Sequence, residues 1–565
     1  MKILLLFSIG IISCFSLQSQ SYSGQWAESG AGTGHDAGHR VAADATGNSY
    51  VCGQFKSRSI SFGAYTLVNS DTSGSTADVF LVKYDPAGTV LWARSAGGSA
   101  FDIGLGLAVD PAGDILLGGY FISKKMLISS VFLTNADASA STSDIFIAKY
   151  TSSGSLLWAK SEGAEGDERL YNICSDVNGN VLATGTFKSN SVIFGPAVLT
   201  NSQPGNEDIF IAKYDPSGMI DWAQKAGGWD IDYSIGIATD TDGNVIITGS
   251  FHGTDITFGG ITLVTGSPGF SDVFIAKYNA SGNVLWAKSA GSSGGDFADD
   301  VAVDADGNIF ITGQFYDPVM HFDAVSVTNT IAWTSDAYLA KYDASGNALW
   351  ARSGGGDSYD AGFGICCDGN DVIITGSFTI DSIKFGTTTL LNEGSYDIFA
   401  VRYDGSGNLL WARSAGGTSG DYSNDACIDA NENLFLTGCF YSPVIALGTS
   451  VLMNGGSSQD VFLMKFADLT EVGVYENDPL ILTVYPNPGS GIFHIVATAG
   501  DGAELIVTNL LGEVICSRKA DASSNGFNEE IDLSGQSCGM YLVQLVSSGD
   551  AGEKIRRSQR ITLIE

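Results

Sequence analysis

Basic residues are scarce in this 565-residue chain. There are 28 lysines and arginines against 62 aspartates and glutamates, a formal net charge of −34. A surface that anionic repels phosphate backbones, which excludes nucleic acid as a partner, and it disfavours anionic membrane surfaces. Divalent cations and neutral ligands stay open. Charged residues of both signs make up only 16% of the chain. Histidines number five. His35 and His39 stand four apart, but on a strand such positions lie about 13 Å from each other, too far for two ligands of one zinc. The nine cysteines follow no zinc-ligand spacing. There is no Gly-x-Ser-x-Gly elbow, no His-Glu-x-x-His, no phosphate loop and no haem-attachment sequence, and those absences argue against the corresponding enzymes. Beyond the first twenty residues no apolar run is long enough to cross a bilayer.

The N-terminus has the form of a signal peptide, residues 1–20. Lys2 precedes the apolar run Ile3 to Phe15, and a Ser/Gln-rich stretch follows, which sets cleavage near Ser19 or Gln20. Ile11-Ile12-Ser13-Cys14 resembles a lipoprotein box, an alternative in which Cys14 would become the lipidated first residue. Export permits disulfides.

Glycine is abundant: 72 residues, close to twice the usual share of ~7%. Many tight turns between apolar strands give that composition, and the turns recur. Trp-Ala occurs at Trp26, Trp92, Trp158, Trp222, Trp286, Trp350 and Trp411, in steps of 66, 66, 64, 64, 64 and 61 residues. A second motif, Asp-Val/Ile/Ala-Phe/Tyr, opens at Asp78, Asp144, Asp208, Asp272, Asp336, Asp397 and Asp460. A third, Gly-x-Phe, ends at Phe55, Phe121, Phe187, Phe251, Phe315, Phe378 and Phe440. A fixed period of this length marks a repeat array.

One unit reads from Asp296 to Ser353. Asp296–Val303 is a strand, Asp304 to Asn308 a tight turn, Ile309–Phe315 a second strand. After a long insert come a third strand ending at Tyr342, a second short turn, and a fourth strand carrying Trp350. Four antiparallel strands of near-continuous apolar character describe a propeller blade covered on both faces. The seventh unit stops at Phe466 with no Trp strand after it, whereas Gly24-Gln25-Trp26-Ala27 stands alone at the N-terminus. The expected architecture is therefore all-β: a seven-bladed β-propeller over residues 21–466, closed by the N-terminal strand so that no sheet edge is left open. The lines exemplified by Asp208 to Gly228 resemble the SBBP family of β-propeller repeats, a likeness that implies fold and says little about ligand.

After Phe466 the repeat ends. Residues 467–482 read as a linker. Val484-Tyr485-Pro486-Asn487-Pro488, Gly491 to Ile495, Leu505 to Val514, Ile531 to Ser534 and Gly539 to Val543 are short alternating strands with turn signals, a small Ig-like β-sandwich over 483–565. In order and spacing they resemble the type A sorting domain of the bacterial type IX secretion system, although Glu565 ends the chain where lysine is usual. The resemblance implies passage across the outer membrane, removal of the tail, and a product attached to the cell surface or released. The type IX machinery is the implied partner. Cys516 and Cys538 are a candidate bridge.

Strand order puts the short turns on one face and the long inserts on the other, and binding residues sit preferentially on long loops. Two acidic sets gather there. One opens the first strands: Asp36, Asp102, Glu168, Asp232, Asp296, Asp360 and Asp421, each eight residues before a turn aspartate. The other opens the third strands. If the first set pointed at the axis, neighbours ~10 Å apart would repel by ~1.5–2 kcal/mol, so either a cation (calcium) offsets the charge or local backbone N–H groups hold each carboxylate. Asp240/Asp242/Asn244 and Asp304/Asp306/Asn308 resemble the start of a calcium loop but lack the later bidentate Glu. Phe101, Tyr171, Tyr233, Phe297, Tyr359 and Tyr422 lie near the acids, and Trp229 and Trp333 fall outside the repeated Trp position. Rings beside carboxylates suit sugar stacking, and they equally suit packing between blades. The repeated Trp and Lys residues read as structural. Cys174, Cys366 and Cys427 share a repeat position held elsewhere by Ala42, Ala108, Ala238 and Ala302, a small buried slot.

Together these features describe an exported, monomeric propeller that binds a glycan or protein ligand on its long-loop face, with no obligatory cofactor. The alternatives are a structural or adhesive surface protein, or an enzyme. Asp215 to Trp222 resembles the quinoprotein docking repeat, and a ring of acids can supply the ~6.5–9.5 Å carboxylate pair of an inverting glycosidase.

Overall fold

The computed structural model describes residues 22–137, 139–331, 334–447, 450–456, 458–468, 482–485, 491–498, 504–509, 514–519, 526–536, 539–548 and 554–563. The signal peptide, Cys14, Trp333, most of the linker and Cys538 lie outside the described residues, and with Cys538 its bridge to Cys516. The chain divides into two compact units, Met1–Thr470 and Glu471–Glu565. Both are all-β, and no helix among the described residues is long and apolar enough to cross a membrane.

The first unit is built from repeated four-stranded antiparallel sheets. In one of them Asp232–Thr239, Val245–Phe251, Asp272–Tyr278 and Val284–Ala290 pair in chain order. The second and third strands are buried along their whole length, which accounts for their unbroken apolar character. The first turn closes on itself. Asp240 accepts hydrogen bonds from the N–H groups of Asp242 and Asn244 at 3.0 and 2.9 Å, and Gly243 takes φ +76°, where a side chain would be strained.

Every first strand carries a β-bulge at one place, between Gly38 and Arg40 in the first sheet and at the equivalent position in the other six. Beside the bulge lies the glycine of Gly-x-Phe. A Cβ at Gly53, Gly119, Gly185, Gly249, Gly313, Gly376 or Gly438 would sit 1.9 to 2.0 Å from a carbonyl oxygen of the paired strand. Backbone proximity, not turn geometry, requires those glycines.

The repeated tryptophans join one sheet to the next. Trp92 donates its indole N–H to Ser152 O at 3.2 Å, and its ring lies under Gly154 of the following sheet's second turn. Trp158, Trp222, Trp286 and Trp350 repeat the arrangement. The repeated lysines act both within and between sheets. Lys213 pairs with Asp176 of its own first turn at 2.9 Å and donates to Ala280 O of the next sheet at 3.4 Å. Arg402, the one replacement, pairs instead with Asp368 and Asp371 at 2.7 and 2.9 Å.

The long inserts contain an element too short for its period to show in the sequence: a hairpin of two four-residue strands, such as Lys125–Ile128 with Val131–Thr134. It turns back onto the preceding sheet. Leu127 and Ile128 pair with Gly97 and Ala96, which covers an outer edge that would otherwise be open. Asp255–Phe258 and Ser382–Phe385 do the same for later sheets.

The two ends of the array meet. Tyr22–Gly30 pairs antiparallel with Asp460–Asp468 and completes a four-stranded sheet with Leu434–Phe440 and Asp421–Ile428. Trp26 in that strand donates to Pro86 O at 3.0 Å, as does Lys465 at 3.1 Å, the same joint that links the other sheets. Each first strand packs against the first strand of the next sheet, and Asp421–Ile428 packs against Asp36–Ala43.

In the second compact unit, Leu482–Tyr485, Ile492–Thr498 and Gly526–Asp532 form one sheet, and Val514–Lys519, Glu504–Asn509, Gly539–Ser548 and Lys554–Leu563 another. Phe493, Ile495, Leu505, Val507, Ile531, Leu533, Tyr541 and Val543 are its buried apolar residues among those described.

Candidate functional site

The acids that open the first strands are fully buried, held by hydrogen bonds from their own sheet or from the end of the preceding one. Asp36 accepts from the N–H groups of Lys56 and Ser57 at 2.9 and 3.0 Å and from the Ser57 hydroxyl at 2.5 Å. Asp102 and Asp421 use Ser123 and Ser442 in the same way. Glu168 accepts from the N–H groups of Ala164 and Ser189. Asp232, Asp296 and Asp360 accept from Gly228, Ser292 and Gly356. The hydrogen bonds to these carboxylates come from backbone N–H groups and from the Ser57, Ser123 and Ser442 hydroxyls. Among the described residues no group of three or more His, Cys, Asp and Glu side chains is arranged to hold a metal ion. The turn aspartates are likewise engaged, since Asp240 and Asp304 bind Lys277 and Lys341 as well as their own turns.

Beside these acids the aromatic residues form chains that run from sheet to sheet. Phe297 meets Tyr316 at 6.3 Å between ring centres, and Tyr316 meets Tyr359 of the next sheet, also at 6.3 Å. Tyr396 stacks near Tyr422 at 4.9 Å, Tyr422 meets Tyr441 at 6.5 Å, and Tyr441 meets His35 at 6.1 Å. Tyr171 lies 6.4 Å from Tyr233, beside Arg169, whose guanidinium covers Tyr120 at 5.3 Å. Lys56 covers Phe101 at 5.6 Å. Tyr359 is 51% exposed and Trp229 71%. The sequence reading therefore finds Tyr233, Phe297, Tyr359 and Tyr422 in such chains but misses Tyr120, Tyr316, Tyr396 and Tyr441. Tyr120 lies near the end of a second strand, Tyr316 and Tyr441 just after second strands, and Tyr396 opens a third strand, where neighbouring sheets bring them alongside. Trp229 stands apart, with its carbonyl accepting from the Asn206 amide at 2.9 Å.

A second polar cluster has no counterpart in the repeats. The bulged first strands bring Arg40 to Asp300 at 3.4 Å and to Asp425 at 3.3 Å, across 260 and 385 residues of chain. Asp425 also accepts from Val41 N–H at 2.8 Å. The three are buried. Nearby, Asp299 Oδ2 and His39 Nε2 are buried atoms without a hydrogen-bond partner. Burial pushes Asp299 up to about 7 and His39 down to about 4. His35 and His39 are not ligands of one site: the first lies beside Tyr441 and the second by Arg40. Cys174, Cys366 and Cys427 are free thiols whose acidity burial suppresses.

A shallow hollow of about 410 Å³ opens on the short-turn face, lined by Asp44, Asp110, Asp176 and Asp240 with Pro111 and Val177.

The class of protein comes from the tail. Residues 483–556 match the family of secretion system C-terminal sorting domains, and by that domain the chain is a type IX cargo, delivered to the cell surface or secreted. The rest has more distant likenesses. It is 25% identical over 484 residues to an uncharacterized WD repeat-containing protein of Acanthamoeba polyphaga mimivirus, covering 72% of this chain and 34% of that one. To the regulatory protein FlaEY of Caulobacter vibrioides it is 24% identical over 231 residues, 40% of this chain and 23% of the other. The chain thus spans about a third and a quarter of the length of these relatives. Among solved structures, a Dyadobacter fermentans protein of unknown function aligns with a TM-score of 0.33 at 11% identity, covering 64% of this chain and 93% of that one. The extracellular domain of a putative hybrid two-component system of B. thetaiotaomicron aligns with a TM-score of 0.25 at 9% identity, over 95% and 100%.

Proposed function

We propose that the seven sheets form a closed seven-bladed β-propeller of the SBBP type, exported as a binding module whose ligand, a glycan or a protein, sits on the aromatic chains of the long-loop face. The joint from Trp26 and Lys465 to Pro86 supports closure, because it repeats between the last sheet and the first the contact that joins the others. The observation that carries the binding reading is the set of aromatic chains crossing sheet boundaries, with Tyr359 and Trp229 turned to solvent. Rings used only for packing would be covered. Exposed ring faces on a rigid scaffold give stacking area at little entropic cost. Calcium belongs to this proposal only as an auxiliary to the ligand. The test is a glycan-array and extracellular-protein binding screen of the secreted chain, with and without EDTA. Specific binding that falls at least tenfold in Tyr359→Ala or Trp229→Ala, a loss of about 1.4 kcal/mol, is the expected result. Binding untouched by Tyr359→Ala would remove the aromatic chains from the site, binding untouched by Trp229→Ala would remove that ring, and no binding at all would leave a structural surface role.

A further inference from the structure

Where one sheet meets the next, two buried acids face each other. The pairs join the aspartate that opens a third strand to the acid that opens the following sheet's first strand: Asp78 with Asp102, Asp144 with Glu168, Asp208 with Asp232, Asp272 with Asp296, Asp336 with Asp360, Asp397 with Asp421, and Asp460 with Asp36. All fourteen are buried. The backbone fixes the approach, since Asp102 N–H donates to Ala77 O, and Asp232, Asp296 and Asp360 make the equivalent bond. A Cβ built on Gly291 would lie 2.4 Å from Asp272 Oδ1 and 2.9 Å from Asp296 Oδ2, so the two carboxyl groups converge on one point. One oxygen of each third-strand aspartate is held by a loop N–H, as Asp78 Oδ2 is by Ser70 at 2.7 Å. At five of the seven the other is left over, whereas Asp460 Oδ1 accepts from Gly32 N–H at 3.3 Å. Asp78, Asp144, Asp208, Asp336 and Asp397 each keep Oδ1 buried with no partner, as do Asp232 and Asp296.

Little positive charge faces these pairs. Lys225 lies 3.0 Å from Asp208 Oδ2, and His35 is near Asp36. The other charged neighbours are acids: Asp71 by Asp78, Asp137 by Asp144, Asp230 and Asp255 by Asp232, Asp317 by Asp272 and Asp296, Asp357 by Asp360, and Glu393 by Asp397. Two buried anions held together with little counter-charge ionise together only at high cost.

We propose that the joints between sheets are proton-binding sites, each buried carboxyl pair holding one shared proton at neutral pH. The proton supplies the donor that the leftover oxygens lack, and it makes the joint neutral or singly charged. The acidities agree. Burial is the main cause, local hydrogen bonds oppose it, and neighbouring acids add to it at all but Asp336; Asp78 and Asp336 rise to about 6, Asp102, Asp144, Asp360 and Asp397 to about 7, Asp296 to about 8 and Asp232 to about 9. Folded values above the unfolded value mean that the folded chain binds more protons. Stability from the pairs is then complete below about pH 4 and is lost as pH rises through the folded values, from about 6 to about 9.

Unfolding the full secreted chain in guanidinium at about pH 7, with released protons counted by back-titration, tests this directly. The expected result is several protons released per chain. His39, buried and neutral, would take up at most a fraction of one on unfolding. In Asp232→Asn/Asp296→Asn, where the amide keeps the shape of the protonated acid, the release falls by up to two and the melting temperature declines less between about pH 6 and about pH 9. Absence of proton release from the parent overturns the proposal, and that measurement stands even if the variant fails to fold. A parent melting temperature that EDTA lowers and calcium restores, with no proton release, would mean that cations occupy the joints.

Discussion

Gly249 shows how much a single position of the repeat can carry. A Cβ there would lie 1.9 Å from Tyr233 O, a backbone atom of the paired strand that cannot move aside without breaking the ladder. Gly249→Ala should therefore melt well below the parent, by more than the 1 kcal/mol or so that separates Ala and Gly in exposed strands, and a chemical-denaturation curve measures it. The same substitution at Gly260, where nothing stands within 4 Å of the added carbon, serves as the control and should cost little. Residues of this kind are legible in the sequence because they recur seven times and their reason is local. Arg40, Asp300 and Asp425 are not legible. All three stand at one repeat position, filled in the other units by Gly106, Asn172, Gly236 and Gly364, and their partnership depends on three first strands brought together from distant parts of the chain. Tyr316 and Tyr441 were missed for a related reason: their neighbours belong to other sheets.

At the level of elements, the four strands of each sheet follow from the alternation of apolar runs with Asp/Gly/Asn turns. The hairpins inside the inserts do not. A strand of four residues, such as Val319–Phe322, has one buried face of two side chains and too few positions to set a period. The strand Tyr22–Gly30 has the opposite standing, because an orphan Trp-Ala at one end of the array matches a gap at the other. Deleting residues 22–30 should leave the edge of Asp460–Asp468 without its partner and uncover Leu463 and the neighbouring apolar side chains. The expected outcome is a lower melting temperature and association through the open edge, visible by light scattering. A protein that stays monodisperse and equally stable would show that this strand is dispensable.

For the molecule as a whole, the tail determines where it goes and the repeat array determines what arrives there. Removal of residues 483–565 should abolish delivery to the surface and the medium while leaving the array folded, with the shortened chain retained in the cell envelope. Fractionation with an antibody to the array checks this, and normal delivery without the tail would assign export to another segment. The net charge of −34 keeps such a chain from sticking to anionic surfaces on its way.

The pairing of residues 22–30 with residues 460–468 also sets an order in time. Residues 22–30 must wait for almost the last of the array before they find their hydrogen bonds, and closing a loop of that length is paid for before the contacts reward it. Six sheets can form from contiguous stretches of chain, whereas the one that contains Tyr22–Gly30 cannot be finished until residues 460–468 are present. A chain made only part of the way through the array therefore stays one strand short of its final form.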